Sequence, residues 1–389
     1  MENFYNDKFL FIKNYWALFF FVLCTIILNL FSVEPAFKLL IISLVSIAIL
    51  TTIEARYFIY YVLIFSYFNL FTDYSLAMSP VDSQKFYAEA FYGGYFDREH
   101  ISTVIAVGWT YKLISSIVND TSPQVIVFIN FFLHCLSVIL LTRIIRIINQ
   151  KRASLLFVTF SFLSPILLTQ LPYLIKDFFS AFFSILSFYF YVKYYKGSSK
   201  AFLIFSIIAM IASMTFRVYS PIYTVILMMC TGIYRKYYFM MILLLISGLV
   251  VTFGIKAIYY FLFSVLALFF IPNFLEINNF VENPSVTIES LVITCCVFLT
   301  LCNLLLKKNK VELKNLIYII ALIGITYAFT SLYRITFTSY EVDGASYLAD
   351  NFFRKKLPIM YILFFLLFGG NISLTTTNSP LRLNKGMER

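Results

Sequence analysis

Long apolar runs, most of them close to the length of a membrane span, follow one another almost without a break along this chain of 389 residues. Candidate runs lie near 15–33, 38–53, 56–72, 123–142, 153–170, 178–193, 201–216, 218–233, 239–256, 289–306, 315–332 and 357–372. A helix that crosses a bilayer needs ~20 predominantly apolar residues, so these runs read as about twelve spans. Hydrophobic side chains make up 61% of the sequence and charged ones 13%. That balance excludes soluble enzyme folds, disorder and nucleic-acid recognition. The fold class expected is therefore an all-α polytopic integral membrane protein. No internal repeat, low-complexity segment or linker divides residues 1–389, so a single membrane-embedded domain is expected. The first apolar run follows a polar stretch, Met1 to Asn14, and is too long for a signal-peptide core, which makes it an uncleaved first span.

The net charge of +11 matters through its placement. Arg143, Arg146, Lys151 and Arg152 form one basic cluster, and Lys307, Lys308, Lys310 and Lys314 form another with Glu312 as its one acid. Basic loops stay on the cytoplasmic side. Two stretches, 101–118 and 257–271, are ambiguous as spans. Placing both at the outer interface puts every basic cluster inside and gives an N-in, C-in chain. The long polar segments 73–122, 272–288 and 333–356 then share the outer face and carry most of the acids. The six cysteines fall within apolar runs without metal-type spacing and read as small buried hydrophobes.

Four places can carry chemistry. Asp82, Lys85, Tyr87 and Glu89 lie just after the third run, where a carboxylate can take a proton from a hydroxyl; equally, Asp82 or Ser83 can cap a surface helix with Lys85 and Glu89 paired. Lys176 and Asp177 interrupt a strongly apolar region, either as functional charges or as a snorkelling lysine and a capping aspartate. Arg217, with Tyr219 and Pro221 after it, stands alone in the otherwise uncharged run 201–233. Its planar fork of donors suits a lipid diphosphate, and a buried pair with Asp177 is the competing reading. Arg334 and Arg354-Lys355-Lys356 are bases left outside, suited to an anionic glycolipid or to plain solvation. His134 reads as a hydrogen-bonded packing residue, and neither it nor His100 has a metal or nucleophile constellation around it. With no phosphate-cradling glycine loop and short inner loops, use of ATP or a sugar nucleotide from the cytosol is not expected.

Taken together, Asp82…Tyr87…Ala90, Ser164-Pro165, Lys176-Asp177 and Arg217-Val218-Tyr219, spread over residues 73–222, resemble bacterial multispan glycosyltransferases of the C superfamily and the related O-antigen polymerases. The resemblance implies an inner-membrane enzyme acting at the periplasmic face on undecaprenyl-linked sugars to build surface polysaccharide. It implies Asp82 as the catalytic acid of the outer loop and Arg217 and Arg334 as holders of the lipid diphosphates. Lys85, Tyr87, Lys176, Asp177, Tyr219 and Arg354 are the candidate substrate-binding residues. Asp82 follows the third run instead of the first and lacks a paired acid, which favours a polymerase over the simple C-superfamily pattern. No resident cofactor or metal is expected, although a divalent cation fits the chemistry. The partners expected are the polyprenyl-linked glycan, membrane lipid and a chain-length regulator, with no nucleic acid. A single-sugar transferase using a polyprenyl-phosphate donor and a twelve-span flippase or transporter are the alternatives; against the latter stands the absence of two similar halves.

Overall fold

The computed structural model describes residues 81–92, 101–119, 121–150, 152–231, 237–270, 277–308, 310–337 and 352–369. The first three runs of the sequence and the C-terminal tail lie outside them. Among the described residues the chain is mostly helical, with no strand. The helices are α1 (Val81–Phe91), α2 (Ile101–Val118), α3 (Pro123–Asn149), α4 (Leu155–Leu163), α5 (Pro165–Leu168), α6 (Asp177–Tyr195), α7 (Ala201–Phe216), α8 (Pro221–Cys230), α9 (Tyr238–Phe253), α10 (Lys256–Phe270), α11 (Ile277–Glu282), α12 (Pro284–Leu306), α13 (Lys310–Phe337) and α14 (Phe352–Phe368). Two stretches, Ile129–Asn149 and Pro284–Leu306, are long and apolar enough to cross a membrane.

Local chemistry sets the boundaries. Proline occupies the first turn of α3, α5, α8 and α12, where its missing N–H is no loss. Helix α3 stops at Gln150 in the left-handed region, and α6 is followed by Gly197 at φ +86, whose N–H returns to Tyr194 O. Several expectations change here. Helix α3 continues past the run 123–142, so Arg143 and Arg146 sit on its last turns instead of in a loop. The run 153–170 is not one continuous helix: Ser164-Pro165 interrupts it, because Pro165 has no N–H for an unbroken ladder and Ser164 caps α5 through Leu167 N. Of the cysteines, Cys135 and Cys230 are buried as expected, whereas Cys295 is exposed.

Helix α6 forms the centre, packed by α3, α7, α8 and α14. Its small residues Ser184 and Ser187 allow close approach. Ser187 and Ser206 each donate to the other's carbonyl, at 2.8 and 2.9 Å, and Thr224 donates to Ser184 O at 3.1 Å. Helix directions follow from contacts. Asn130 near the start of α3 bonds Tyr173 O, and His134 meets Phe178 and Tyr361, whereas Asn149 and Ser154 bond Gly369 and Phe368 carbonyls. So α3, α6 and α14 run the same way. Helix α7 returns, with Phe190 against Phe202 at one end and Phe179 stacked on Phe216 at 4.9 Å at the other. One end of the bundle therefore collects Arg143, Arg146, Lys193, Lys196 and Lys200, and the opposite end collects Lys176, Asp177 and Arg217.

Candidate functional site

The site grows from the break in the helix. Residues 164–176 are irregular apart from the four-residue α5, yet Ser164, Leu171, Leu174 and Ile175 in them are buried. Irregular backbone inside an apolar bundle must find polar partners. It finds them on three different helices. Glu289 Oε2 of α12 accepts from Ile166 N–H at 2.7 Å, Asn130 Nδ2 of α3 donates to Tyr173 O at 2.6 Å, and Ser83 Oγ of α1 donates to Leu174 O at 2.8 Å. Ser83 thus ties α1 to the break instead of capping α1.

The segment ends in the two charges that begin α6. Lys176 lies over the Phe86 ring, 5.5 Å from its centroid. Asp177 occupies the first turn of α6, where the helix dipole favours an anion. Both of its oxygens receive Nη2 of Arg217, at 2.6 and 2.8 Å. The competing reading of a paired Asp177 and Arg217 is thus realised geometrically. The Asp177 side chain is 3% exposed and that of Arg217 19%. Arg217 ends α7 in an extended conformation and stands before Pro221 opens α8. Its guanidinium lies 5.8 Å from the Tyr219 ring centroid, and Tyr219 meets Tyr223 edge-on. Burial works against its charge, but the Asp177 carboxylate outweighs that, so the guanidinium is held above its ordinary pKa. Its Nε has no hydrogen-bond partner.

The other candidates fall around this core. Helix α1 brings Asp82, Lys85 and Tyr87 beside the break; the Asp82 side chain lies outside the description, Lys85 is half-buried, and Tyr87 Oη donates to Thr121 O at 2.8 Å. Helix α13 meets the start of α9 through Tyr318 and Phe239, then carries Arg334 about 24 Å further. That travel, back from the basic end, puts the Arg334 backbone toward the end that holds Arg217. Arg354 lies in the first turn of α14, at the same end. The side chains of both lie outside the described residues.

Two further charges gather here, of which Glu289 was not singled out by the sequence. Glu289 is buried on α12, facing the Ser164 hydroxyl, and its Oε1 has no partner. Lys356, which the sequence placed among outer bases, is fully buried, with Nζ 3.4 Å from the hydroxyl of Ser290, the residue next to Glu289. The available signal was a lone acid at the head of an apolar run. His134 is closed off from chemistry: its ring bonds Tyr361 Oη at 2.7 Å and Phe162 O at 3.1 Å. Among the described residues no group of His, Cys, Asp and Glu has the arrangement of a metal site. No protein-family model, curated protein or solved structure matches the chain.

Proposed function

We propose that the chain is a multispan membrane glycosyltransferase that polymerises polyprenyl-diphosphate-linked oligosaccharide units, as in the making of O-antigen or a similar surface polysaccharide. The observation that carries this reading is Arg217: a guanidinium fixed through Nη2 by Asp177, with Nε unpartnered and the side chain part-exposed, in a break between apolar helices. Such a group is preorganised to hold a diphosphate, which binds planar donor forks well.

In the reaction an acceptor hydroxyl attacks the anomeric carbon, the bond from that carbon to the diphosphate oxygen breaks, and the lipid diphosphate leaves with the electron pair. Arg217 stabilises the departing charge and Arg334 supplies a second cation. Asp82 takes the hydroxyl proton. Lys85, Lys176 and Arg354 add positive field, and Tyr87 and Tyr219 offer ring faces to sugars. Positioning and charge stabilisation are enough for so good a leaving group, so a divalent cation is optional.

We place the chain in the bacterial inner membrane with twelve spans, both termini cytoplasmic and the Asp177–Arg217 end periplasmic. Support comes from the basic residues gathered at the opposite end and from exposed apolar faces, such as Ile204, Ile208 and Ile211 on α7 and Met240 and Leu244 on α9, which suit lipid. A helix interrupted beside buried charges also suits a lipid-oligosaccharide flippase, which is the second reading. The test is gel analysis of surface polysaccharide from a gene-deletion strain restored with wild type or Arg217→Ala at equal protein level. Single repeat units rescued by wild type alone are expected. A full ladder lacking one sugar means a decorating transferase, and loss of all outer material means the flippase.

A further inference from the structure

We propose that the crossing of α1 and α2 is a glycan-binding surface, on which Tyr92 and Trp109 offer ring faces to sugar rings and Glu89 accepts hydrogen bonds from sugar hydroxyls. The two helices meet at Gly108, where an added Cβ would lie 3.1 Å from Glu89 Cγ and 3.4 Å from the Ala90 backbone nitrogen. A residue without a side chain suits so close a crossing. It brings the neighbours of Glu89 on α1 and those of Gly108 on α2 to one place.

On α1, Tyr92 stands one turn beyond Glu89, its N–H bonded to Ala88 O at 2.8 Å, its ring set against Tyr87 at 6.2 Å and its side chain 78% exposed. On α2, Trp109 follows Gly108 and is 69% exposed. Glu89 lies between them, half-buried, with Oε2 turned inward and without a hydrogen-bond partner. A buried acceptor that lacks a donor costs free energy, and a ligand hydroxyl at the crossing removes that cost. Aromatic rings with a polar tip suit the other part of a sugar, its apolar C–H face.

The alternative occupant of exposed aromatic rings is the bilayer. Lys112 and Ser116 are exposed on the same side of α2 as Trp109, three and seven residues on, and Glu89 adds a carboxylate. A face so mixed suits a hydroxyl-rich ligand better than acyl chains or anionic headgroups. Its position also fits. Tyr111, one turn beyond Gly108, meets the Phe179 ring at 6.1 Å, and Phe179 stacks on Phe216, the residue before Arg217. The surface thus belongs to the Arg217 end of the bundle. The inference rests on the reading of the chain as one that handles lipid-linked glycans, and adds where their sugar portion lies.

The test exploits the scarcity of tryptophan. The sequence has two, Trp16 and Trp109, so in Trp16→Phe protein the tryptophan emission comes from Trp109 alone. That protein, full-length in nanodiscs, is titrated with lipid-free oligosaccharide released from the host's surface polysaccharide by mild acid. A saturable change in Trp109 emission is expected. Glu89→Gln keeps the shape at the crossing and weakens the acceptor, so about tenfold weaker binding is expected. Tyr92→Ala, at the surface, should also weaken binding and gives the same readout where Glu89→Gln does not fold. Trp109 emission that ignores the oligosaccharide overturns the proposal, and its quenching by brominated phospholipid in the same nanodiscs then identifies the face as a bilayer contact. Wild-type affinity in folded Glu89→Gln and Tyr92→Ala overturns it too. Protein that joins repeat units while Trp109 stays silent removes this site and leaves the proposed function standing. Protein that binds at Trp109 and joins nothing supports the site and removes the polymerase.

Discussion

Asp177 and Arg217 raise a question that their contact alone leaves open, because a buried ion pair can serve packing, substrate binding or both. Removing one member strands the other charge and costs about 3–5 kcal/mol. Asp177→Ala is therefore expected to lower stability by about that amount in denaturant titrations of the detergent-solubilised protein. The double variant Asp177→Asn, Arg217→Gln carries no stranded charge and should recover much of the loss. If the guanidinium holds a diphosphate, the double variant regains stability and stays inactive. Recovery of both stability and polysaccharide length would mean that the pair serves packing alone. The two residues were legible as charges isolated in apolar runs and their pairing as one of two readings, which the return of α7 along α6 realises. Glu289 was hidden because it opens an apolar run, where an acid reads as belonging to the polar segment before it. Lys356 was hidden because its neighbours Arg354 and Lys355 make it look like one more loop base.

The elements show where periodicity informs and where it fails. Apolar runs located α6 and α7 within two residues, the start of α3 and the end of α12, because a run of apolar residues marks where a helix can be shielded from water. They missed the interruption at Ser164-Pro165, because hydropathy does not register the lost N–H of proline when its neighbours stay apolar. The serine seam of α6 was written in the spacing of Ser180, Ser184 and Ser187, one face of a helix, yet needed α7 and α8 as partners to acquire meaning. Because that seam allows close approach, Ser187→Leu is expected to overpack it and lower stability by about 1–3 kcal/mol. A second close approach lies between α13 and α10, where a Cβ on Gly324 would collide with the Val265 Cγ2 methyl. Gly324→Ala should destabilise the protein, and Val265→Ala should relieve part of that loss, which a double-mutant cycle in thermal unfolding measures. Additive effects would contradict this packing.

At the scale of the molecule, the fold sorts charge by end. The basic turns close α3 and α6, and Asp177, Arg217, Glu289 and Lys356 gather where α6, α12 and α14 begin. The helical character of the described residues was legible from the apolar runs, and the basic end of the bundle from the clusters between them. Which charges converge was not, since that depends on contacts between helices distant in sequence. The orientation proposed above predicts that, in a background without native cysteines, Val218→Cys reacts with a membrane-impermeant maleimide in intact cells and Ser199→Cys reacts only after permeabilisation. Labelling of both in intact cells, or the reverse pattern, would contradict it.

The central claim is that the Arg217 end of this bundle joins glycans carried on lipid diphosphate. Its most direct measurement combines purified protein in nanodiscs with lipid-diphosphate-linked repeat units and follows product length by mass spectrometry. Wild type should yield lipid-linked chains of two or more units with release of free lipid diphosphate, and Arg217→Ala, folded by size-exclusion chromatography, should yield neither. Wild type that leaves the repeat units unjoined, or Arg217→Ala that joins them at the wild-type rate, would contradict the account.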